Sequence, residues 1–451
     1  MLLKILLIST NTETDPYPVY PIGLDYVARA IGDRHQVLVI DMNLISDDAA
    51  LVTILLHEKP DLVGLSIRNI DTNDSTNVRA FSKSIGELIR LIRNHTQARI
   101  ILGGSGFTIM PEAWMHCLDA DFGVIGEGER LPLLLTALEK KEDPARLPGI
   151  VRQGDPVVFP EPWSGSFHRG PLPNRDNTSF YLQRGGMLNL QTKRGCPFRC
   201  IYCTYPHIEG KTFRPVPPDE VAATARMLQD AGARYLYITD STFNGDYDQS
   251  LAVASAFQKA GVSVPWGAFF TPTNPPRHYY ALLAQAGLRH VEFGTESLSD
   301  IMLAAYKKPF RMKNVREAHH RAEEAGLNIA HYFMLGGPGE SESTLRETLD
   351  KTSDLGRAVY FVFNGIRLYP HTQLYDIALR EGQISPATDM LKPIFYWSPG
   401  LDEEKAREIL AGHTEGKANW LVGSGAEKTA RILARMYARG RVGPLWEYLI
   451  R

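Results

Sequence analysis

Short apolar runs alternate with amphipathic segments in two series along this chain, and that alternation restricts the fold more than any other feature. The first series covers roughly residues 1–150 and includes the runs LLKILLIS, QVLVIDM, DLVGLSI, ARIILGG and FGVIGEG. Short buried strands separated by helices are typical of a parallel sheet that is covered on both faces. We therefore predict a doubly wound, Rossmann-like α/β domain over residues 1–150, with a long helix from Val78 to Asn94.

The second series begins after a Pro- and Gly-rich stretch, residues 151–186, which has no periodicity and predicts a linker. Residues 187–375 then alternate through six strand–helix units, which suit a partial (β/α)6 barrel of the TIM type with its chemistry at the carboxyl ends of the strands. Residues 376–451 predict a mainly helical C-terminal domain. Its aromatic residues, Phe395 to Trp397 and the closing GPLWEY, are typical of core packing; the alternative is that they lie over the barrel mouth and wall the substrate cavity.

Three of the four cysteines, Cys196, Cys200 and Cys203, lie within eight residues at C-x3-C-x2-C spacing. Clustered thiolates select zinc, copper or an iron–sulfur cluster. A structural zinc site would take a fourth ligand, and His207 stands four residues further on. A four-iron cluster would use the three cysteines and leave one iron open. The remaining Cys117 stands beside Trp114 and Met115 in a helical pattern, which predicts a buried, inert thiol.

The cysteine count and the net charge restrict the compartment and the classes of partner expected for the protein. Because only one cysteine lies outside the cluster, disulfides are excluded and a reducing compartment, the cytoplasm, is expected. A net charge of −2 gives no electrostatic footprint for nucleic acid. No run approaches the roughly 20 apolar residues of a spanning helix. The opening MLLKILLIST lacks a small-residue cleavage site and predicts a first β-strand.

The cysteine spacing, with Tyr202 directly before the last cysteine, resembles the radical S-adenosylmethionine (SAM) superfamily. In that family the three cysteines ligate a [4Fe-4S] cluster whose open iron chelates the amino and carboxylate groups of SAM. The resemblance therefore implies that Cys196, Cys200 and Cys203 are metal ligands and catalytic. It also implies SAM contacts around the cluster and at the carboxyl ends of the barrel strands. The predicted SAM-binding residues are Tyr202, Asp240, Glu296, Gly336, Gly337 and Arg367.

The loops after the strands of the first domain resemble, taken in order, the cobalamin-binding half of cobalamin-dependent radical SAM enzymes. Taken singly, their glycines read as ordinary strand-to-helix turns, and the first turn, Ser-Thr-Asn-Thr, lacks the glycines of a dinucleotide site. The resemblance implies that these loops line the corrin and receive the nucleotide tail. The predicted cobalamin-binding residues are Thr10, Asn11, Tyr20, Gly23, Ser66, Arg68, Asn69, Gly103, Gly104, Ser105, Gly106, Gly126, Glu127, Gly128 and Glu129.

The resemblance also bears on how cobalt is ligated. Cobalamin proteins that use a histidine ligand carry D-x-H-x-x-G after the first strand. The nearest string here contains Asp33 and His35, lacks the glycine and precedes the second strand. The expected state is therefore histidine-off cobalamin. Arg68, at the end of the third strand, is placed either to approach the lower cobalt face or to pair with a corrin amide or a carboxylate.

These features together resemble the class B radical SAM methyltransferases. The implied function is that of a C-methyltransferase, which moves a methyl group from methylcobalamin to an unactivated carbon after the 5′-deoxyadenosyl radical has abstracted hydrogen. Two alternatives stay open: a cobalamin-dependent radical cyclisation or rearrangement without net methylation, and an ordinary radical SAM enzyme with a non-catalytic cobalamin-like docking module. Methylthiotransferases need three further cysteines, which the sequence lacks. The expected partners are a small-molecule, lipid or peptide substrate and an external electron donor such as a flavodoxin or ferredoxin.

Overall fold

A computed structural model describes residues 2–170, 172, 175–423 and 427–450. The first part of the chain forms one six-stranded sheet with helices on both faces. Its strands are β1 Lys4–Ser9, β2 Gln36–Asp41, β3 Leu62–Ser66, β4 Arg99–Gly103, β5 Phe122–Val124 and β6 Ile150–Val151. Its helices are α1 Ile22–Ile31, α2 Asp48–Glu58, α3 Ser82–His95, α4 Ser105–Ile109, α5 Pro111–Cys117 and α6 Leu131–Lys140.

This first sheet has the strand order β2-β1-β3-β4-β5-β6. Its strands are parallel except β6, which pairs antiparallel with β5. The strand order reverses direction between β1 and β3, and ligands of doubly wound sheets bind at the carboxyl edge beside such a point. The structure confirms the predicted doubly wound α/β domain, and it places the loops after β1, β3, β4 and β5 at one edge.

The second part of the chain forms a seven-stranded, all-parallel sheet with the order β17-β14-β13-β12-β11-β10-β7. The strands from here on are β7 Met187–Leu190, β8 Lys193–Arg194, β9 Arg214–Pro215, β10 Tyr235–Ile238, β11 Trp266–Phe270, β12 Leu288–Glu296, β13 Asn328–Leu335, β14 Val359–Asn364, β15 Ile366–Arg367, β16 Phe395–Tyr396 and β17 Trp420–Val422. The helices are α7 Arg175–Gln183, α8 Tyr205–Ile208, α9 Pro218–Asp230, α10 Tyr247–Lys259, α11 Tyr279–Gln285, α12 Asp300–Ala305, α13 Met312–Glu324, α14 Glu342–Asp350, α15 Gln373–Arg380, α16 Glu403–Thr414 and α17 Glu427–Ala438. No helix among the described residues has the length and apolar character that crossing a membrane requires.

The six predicted strands of the barrel form β7 and β10 to β14, and the C-terminal region adds a seventh. Residues Trp420–Val422 form β17, which extends the sheet beyond β14. The sequence analysis assigned this region to helices because its apolar run is only three residues long. The region is mainly helical otherwise, through α15, α16 and α17.

Three local predictions differ from the structure. The long helix begins at Ser82 instead of Val78, because residues 71–80 form a loop closed by a bridge between Asp71 and Ala80. Cys117 is exposed, since the buried face of α5 consists of Pro111, Trp114 and Met115. The predicted linker, residues 151–186, contains a helix, α7. Residues 171, 173 and 174 of the linker lie outside the described part of the chain.

The closing GPLWEY segment lies at the end of the barrel opposite the mouth. Trp446 packs against Ala330 and Val359, which lie near the beginnings of β13 and β14. Its ring centroid is 4.9 Å from that of His290, near the beginning of β12. The segment therefore closes the amino-terminal end of the strands, and the carboxyl end remains the mouth.

The two sheets are joined by a shared apolar cluster and by a buried ion pair. One core cluster contains Ile8 and Leu65 of the first sheet together with Ile201, Tyr306 and Leu368 of the second part. Beside it, Arg367 Nε donates to Asp71 Oδ2 at 2.7 Å, and both side chains are at most 2% exposed. Because Asp71 belongs to the loop after β3, this pair fixes the first domain against the barrel.

We expect Asp71→Asn to destabilise the protein by about 3 kcal/mol, because it leaves the buried Arg367 guanidinium without its counter-charge. Asn keeps the oxygen that accepts from the Asn73 N–H at 2.7 Å, so the change isolates the ion pair. The midpoint of guanidinium-induced unfolding measures the loss. The control is Asp389→Asn, whose pair with Lys392 is exposed and should contribute less than about 0.5 kcal/mol. Equal midpoints for the two variants would contradict the assignment.

Candidate functional site

The three clustered cysteines lie on a loop whose base is held by a short antiparallel hairpin. β8 precedes the loop and pairs with β9, which follows it. Cys196 N–H donates to the Gly210 carbonyl oxygen at 3.0 Å. Gly195 has a φ of 84°, and a Cβ atom there would lie 2.0 Å from the Thr212 carbonyl oxygen. Only glycine fits at this position, so Gly195 sets the direction in which the loop leaves β8.

Asp240, a predicted SAM contact, anchors the base of this loop. Its carboxylate is buried and accepts from Lys193 Nζ at 2.9 Å and from the Thr192 backbone N–H at 2.7 Å. Lys193 Nζ also donates to the Phe243 carbonyl oxygen at 2.7 Å. Both carboxylate oxygens are therefore bonded to groups of the protein, and a contact of Asp240 with SAM stays a prediction. Asp240 positions the strand that carries the cysteines.

Two predicted SAM contacts, Tyr202 and Glu296, meet beside the cysteines. Tyr202 Oη donates to Glu296 Oε1 at 2.8 Å, and Lys308 Nζ donates to the same oxygen at 2.9 Å. Glu296 ends β12 with a φ of 64°, a strained value for a residue other than glycine. Lys308 was missed by the sequence analysis. The signal that could have found it is the pair Lys307-Lys308 after α12, because a buried strand-end carboxylate requires a cation nearby.

The charges around the thiols suit ligation by a cluster. Burial raises the pKa of all three thiols, that of Cys203 to about 12. Neighbouring thiolates raise the pKa values of Cys196 and Cys203 further. The ammonium group of Lys308 acts in the opposite direction on all three thiols. The backbone N–H groups of Phe198 and Tyr205 bond to the sulfurs of Cys196 and Cys203. Three soft sulfur donors on one loop, two of them bonded by backbone N–H groups, fit an iron–sulfur cluster. The positive charge of its iron would offset the free-energy cost of burying three thiolates.

His207, the alternative fourth ligand for zinc, is engaged elsewhere. Its ring stacks on that of His371 at 4.9 Å and packs against Phe159 at 4.1 Å. Burial, and then the neighbouring His371, lower the pKa of His207 to about 4. Among the described residues, no group of three or more His, Cys, Asp or Glu side chains is arranged to hold a single metal ion.

A cavity of about 530 Å³ lies between the first domain and the cysteine end of the barrel. Its lining includes the predicted cobalamin residues of all four loops. These are Asn11, Tyr20, Gly23, Ser66, Arg68, Gly103, Gly104, Ser105, Gly126, Glu127, Gly128 and Glu129. Thr10, Asn69 and Gly106 are outside the lining: Thr10 Oγ1 donates to the Ser66 carbonyl, Asn69 Nδ2 donates to Asn11 Oδ1, and Gly106 packs on the Arg68 carbonyl.

The barrel side of this cavity was missed by the sequence analysis. It consists of Asn189, Gln191, Arg194, Thr204, Tyr205, Ile208, Glu209 and Thr239. Glu209 Oε2 accepts from the Gly195 N–H at 3.1 Å, and burial raises the pKa of its carboxyl to about 7. These residues flank the cysteines in the sequence, so the cavity wall and the cysteine loop are parts of one segment.

The carboxylates of Glu127 and Glu129, predicted to contact cobalamin, pair with an arginine of the barrel. Arg194 Nη1 lies 2.8 Å from Glu127 Oε1, and Arg194 Nη2 lies 2.8 Å from Glu129 Oε1. Arg214 Nη2 reaches Glu127 at 2.9 Å. The two residues border the cavity and their charges are balanced by Arg194 and Arg214, while their contact with cobalamin stays a prediction. They connect the first domain to the residue two positions before Cys196.

Gly336 and Gly337, predicted to approach SAM, are approached by aromatic rings of the protein. A Cβ atom on Gly336 would lie 2.4 Å from the Trp397 ring, and one on Gly337 would lie 2.1 Å from the Tyr306 ring. Both N–H groups donate to Glu340 Oε2. Burial raises the pKa of the Glu340 carboxyl to about 7. These glycines are required by the packing of Trp397 and Tyr306.

Arg367, the remaining predicted SAM contact, is committed to the domain interface. Besides its pair with Asp71, it donates from Nη2 to the Met390 carbonyl at 2.8 Å and from Nη1 to the Leu368 carbonyl at 2.5 Å. All three guanidinium nitrogens therefore have partners within the protein. Arg367 therefore joins the domains, and its contact with SAM stays a prediction.

Sequence comparisons match both halves of the chain to known families. Residues 8–134 match the B12 binding domain, and residues 190–352 match the radical SAM superfamily. The chain therefore carries a B12-binding domain followed by a radical SAM domain. It is a radical SAM enzyme of the cobalamin-dependent group.

Individual relatives cover most of the chain. The chain is 26% identical to an uncharacterized methyltransferase of Pyrococcus horikoshii, over 84% of this chain and 83% of the relative. It is 25% identical to the tryptophan 2-C-methyltransferase of Streptomyces laurentii, over 79% and 72% of the two chains. The structure of the radical SAM methyltransferase TsrM from Kitasatospora setae, with cobalamin and a [4Fe-4S] cluster bound, has the same fold. The TM-score is 0.89 at 24% identity, with 100% of this chain and 97% of TsrM covered.

Proposed function

We propose that this enzyme is a C-methyltransferase that moves a methyl group from SAM, by way of cobalamin, to an unactivated carbon from which the 5′-deoxyadenosyl radical has removed hydrogen. The observation that carries the proposal is the shared wall formed by Arg194. This residue borders the interdomain cavity and also begins the segment that bears the three cysteines. A methyl carrier in the cavity and a cluster on the loop would therefore lie close together, since the segment that begins at Arg194 borders the one and carries the other.

In this proposal Cys196, Cys200 and Cys203 hold a [4Fe-4S] cluster, and Tyr202, Glu296 and Lys308 form the polar floor beside it. The Glu296 carboxylate suits the amino group or ribose hydroxyls of SAM. Lys308 supplies the counter-charge that this buried carboxylate requires. When bound, the cluster would supply the electron that cleaves SAM and cobalamin would supply the transferable methyl group.

The residues lining the interdomain cavity would hold cobalamin. The glycines at 103, 104, 126 and 128 leave room for a large planar ring, and polar groups of both domains face the space. Gly104 has a φ of 96°, and a Cβ atom there would lie 2.6 Å from the Ile67 carbonyl oxygen. Glycine is thus required for the loop after β4 to pack on the loop after β3, which shapes the cavity wall.

We further propose that cobalamin binds without a histidine ligand. His35 accepts a bond from the Leu3 N–H, so it lies at the amino-terminal edge of the first sheet, away from the cavity. Arg68 lines the cavity and is bonded through Nε to Asn69 Oδ1 at 3.1 Å. Burial lowers its pKa, while Tyr181 and Asp41 act in the opposite direction and favour the charged form. A cation there would discourage a lower ligand of cobalt.

The proposal also includes a methyl acceptor, an external electron donor such as a flavodoxin or ferredoxin, and a cytoplasmic setting. Its support is chemical: the cluster needs an electron from outside, and three thiols without disulfide partners need a reducing compartment to stay available as ligands. The alternatives, radical rearrangement and an empty docking module, differ in products and in cofactor content.

We expect Cys200→Ala to abolish 5′-deoxyadenosine formation while cobalamin stays bound, because the cluster ligands lie outside the cavity lining. Mass spectrometry of the reaction measures 5′-deoxyadenosine, and the absorbance spectrum of the purified protein measures cobalamin. The control is Cys117→Ala, which removes an exposed thiol at the end of α5 and should change neither quantity.

Three results would count against the proposal. A wild-type protein that binds no cobalamin would support the docking-module alternative. Formation of 5′-deoxyadenosine without S-adenosylhomocysteine would support rearrangement over methyl transfer. Loss of cobalamin from Cys200→Ala would show that the two cofactor sites are not independent.

For the cobalt ligand, we expect the electron paramagnetic resonance spectrum of Co(II)alamin in the enzyme to be the same in natural-abundance protein and in protein labelled with ¹⁵N-histidine. A histidine nitrogen bound to cobalt would change the superhyperfine splitting from three lines to two on labelling. Such a change would overturn the histidine-off assignment.

A further inference from the structure

The interior of the radical SAM barrel is lined by aromatic rings from four of its strands. The inward-facing residues are Tyr237 on β10, Phe269 on β11, Tyr332 on β13 and Phe361 on β14. Their ring centroids are 5.8 Å apart for Tyr237 and Phe269, 5.5 Å for Phe269 and Tyr332, and 4.7 Å for Tyr332 and Phe361. The last pair is stacked, with planes 12° apart. The interior therefore presents a continuous aromatic wall.

This interior is open, unlike the layered core of a closed barrel. Phe269 lies in the middle of a central strand, yet it is 36% exposed. Its neighbours Ala268 and Phe270, which face the helices, are 0% and 2% exposed. Tyr237, Tyr332 and Phe361 are also partly exposed. The exposed ring of Phe269 thus faces free space inside the barrel.

A buried carboxylate, that of Glu292, stands on this inner face between the aromatic residues. Glu292 pairs in register with Phe269, so the two side chains share a face of the sheet. Glu292 Oε2 accepts from Tyr332 Oη at 2.7 Å, and Oε1 accepts from Trp446 Nε1 at 3.2 Å. Both donors are neutral, and the neighbour that acts on Glu292 as a cation is His290, which is itself paired with Glu447 at 3.3 Å. Burial raises the pKa of Glu292, as expected for a carboxylate in such surroundings.

The same inner face leads to the cysteine loop. Glu292 and Gly294 share the inner face of β12, and a register shift follows between Gly294 and Glu296. The Glu296 carboxylate still lies over this face, because a Cβ atom on Gly294 would lie 3.2 Å from Glu296 Oε1. Four residues of strand span about 13 Å. Glu296 lies beside the cysteines, through Tyr202 and Lys308. The lower end is closed by Trp446, so the interior opens only towards the cofactor end at the level of these residues.

The first domain also contributes to this interior. The Glu292 carboxylate, together with burial, raises the pKa of Tyr17, which places Tyr17 close to that carboxylate. Tyr17 belongs to the loop between β1 and α1, and the same loop supplies Val19 and Tyr20 to the wall of the interdomain cavity. The aromatic interior and the cavity are therefore separated by one short loop.

We propose that the barrel interior binds the methyl acceptor, and that the acceptor is a small molecule with a flat apolar body and a cationic amino group. Aromatic faces hold the flat body, and a cation between aromatic faces and a carboxylate is stabilised by both. An anionic acceptor would be repelled by Glu292. That the bound molecule is the methyl acceptor rests on the proposed function. The binding site itself is inferred from the geometry of the interior.

Binding is measured with three probes of matched shape and different charge: phenethylamine, 2-phenylethanol and 3-phenylpropionate. Isothermal titration uses the full-length protein with its cofactors but without SAM or reductant, so a failure of methyl transfer does not affect the result. We expect phenethylamine to bind at least tenfold more tightly than either other probe, which corresponds to about 1.4 kcal/mol. Equal or tighter binding of 3-phenylpropionate, or no binding of any probe at millimolar concentration, would overturn the proposal.

Two variants assign the site. Glu292→Gln should reduce the preference for phenethylamine over 2-phenylethanol to within about twofold, and Phe269→Trp, which fills the interior, should weaken all three probes. The control is Glu381→Gln, since Glu381 also accepts a tyrosine hydroxyl, that of Tyr396 at 2.8 Å, but lies outside the barrel interior. The unfolding midpoint of each variant is measured in parallel. A folded Glu292→Gln protein that keeps the full preference, or a folded Phe269→Trp protein with unchanged affinities, would refute the assignment.

Discussion

The ion pairs between Arg194 and the carboxylates of Glu127 and Glu129 set the relation between the two halves of this enzyme. All three side chains are at most 8% exposed. Burial alone would lower the pKa of Arg194, but Glu129 and Glu127 more than offset that and keep the guanidinium charged. Removing either side would leave a buried charge unpaired, which is far more costly than losing a surface pair. The B12-binding domain is thereby held against the segment that carries the cysteines.

Several residues predicted to contact ligands also fix the site. Asp240 holds Lys193 at the base of the cysteine loop, and Arg367 holds Asp71 across the domain interface. Gly336 and Gly337 accommodate the rings of Trp397 and Tyr306. Tyr202, Glu296 and Lys308 form the polar group beside the thiols. Many residues that the motifs identify therefore hold the loops in place, whatever ligand contacts they also make.

Much of the fold could be predicted from the sequence, because apolar periodicity reports local structure directly. The two strand–helix series and the cysteine loop are encoded by consecutive residues. The short strand β17 could not be predicted, since three residues carry too little pattern and its pairing with β14 is a long-range contact. The position of Trp446 at the amino-terminal end of the barrel was missed for the same reason.

The candidate site was only partly predictable, because the sequence does not show which side chains pair with one another. A strand-end carboxylate such as Glu127 has the same sequence signature whether it faces a ligand or an arginine of another domain. Lys308 became visible only through its 2.9 Å contact with Glu296. The inner aromatic wall was likewise hidden, because its members come from four separate strands. Composition and spacing identify candidate groups, but only the packed structure shows which of them have partners.

The most direct test of the account is whether the cobalamin of this enzyme takes its methyl group from SAM. The purified protein, reconstituted with cobalamin and iron and supplied with reductant and methyl-deuterated SAM, is analysed by mass spectrometry of the extracted cobalamin. The account predicts cobalamin carrying the deuterated methyl group, together with an equal amount of S-adenosylhomocysteine. Bound cobalamin that stays unlabelled while SAM is consumed would contradict it.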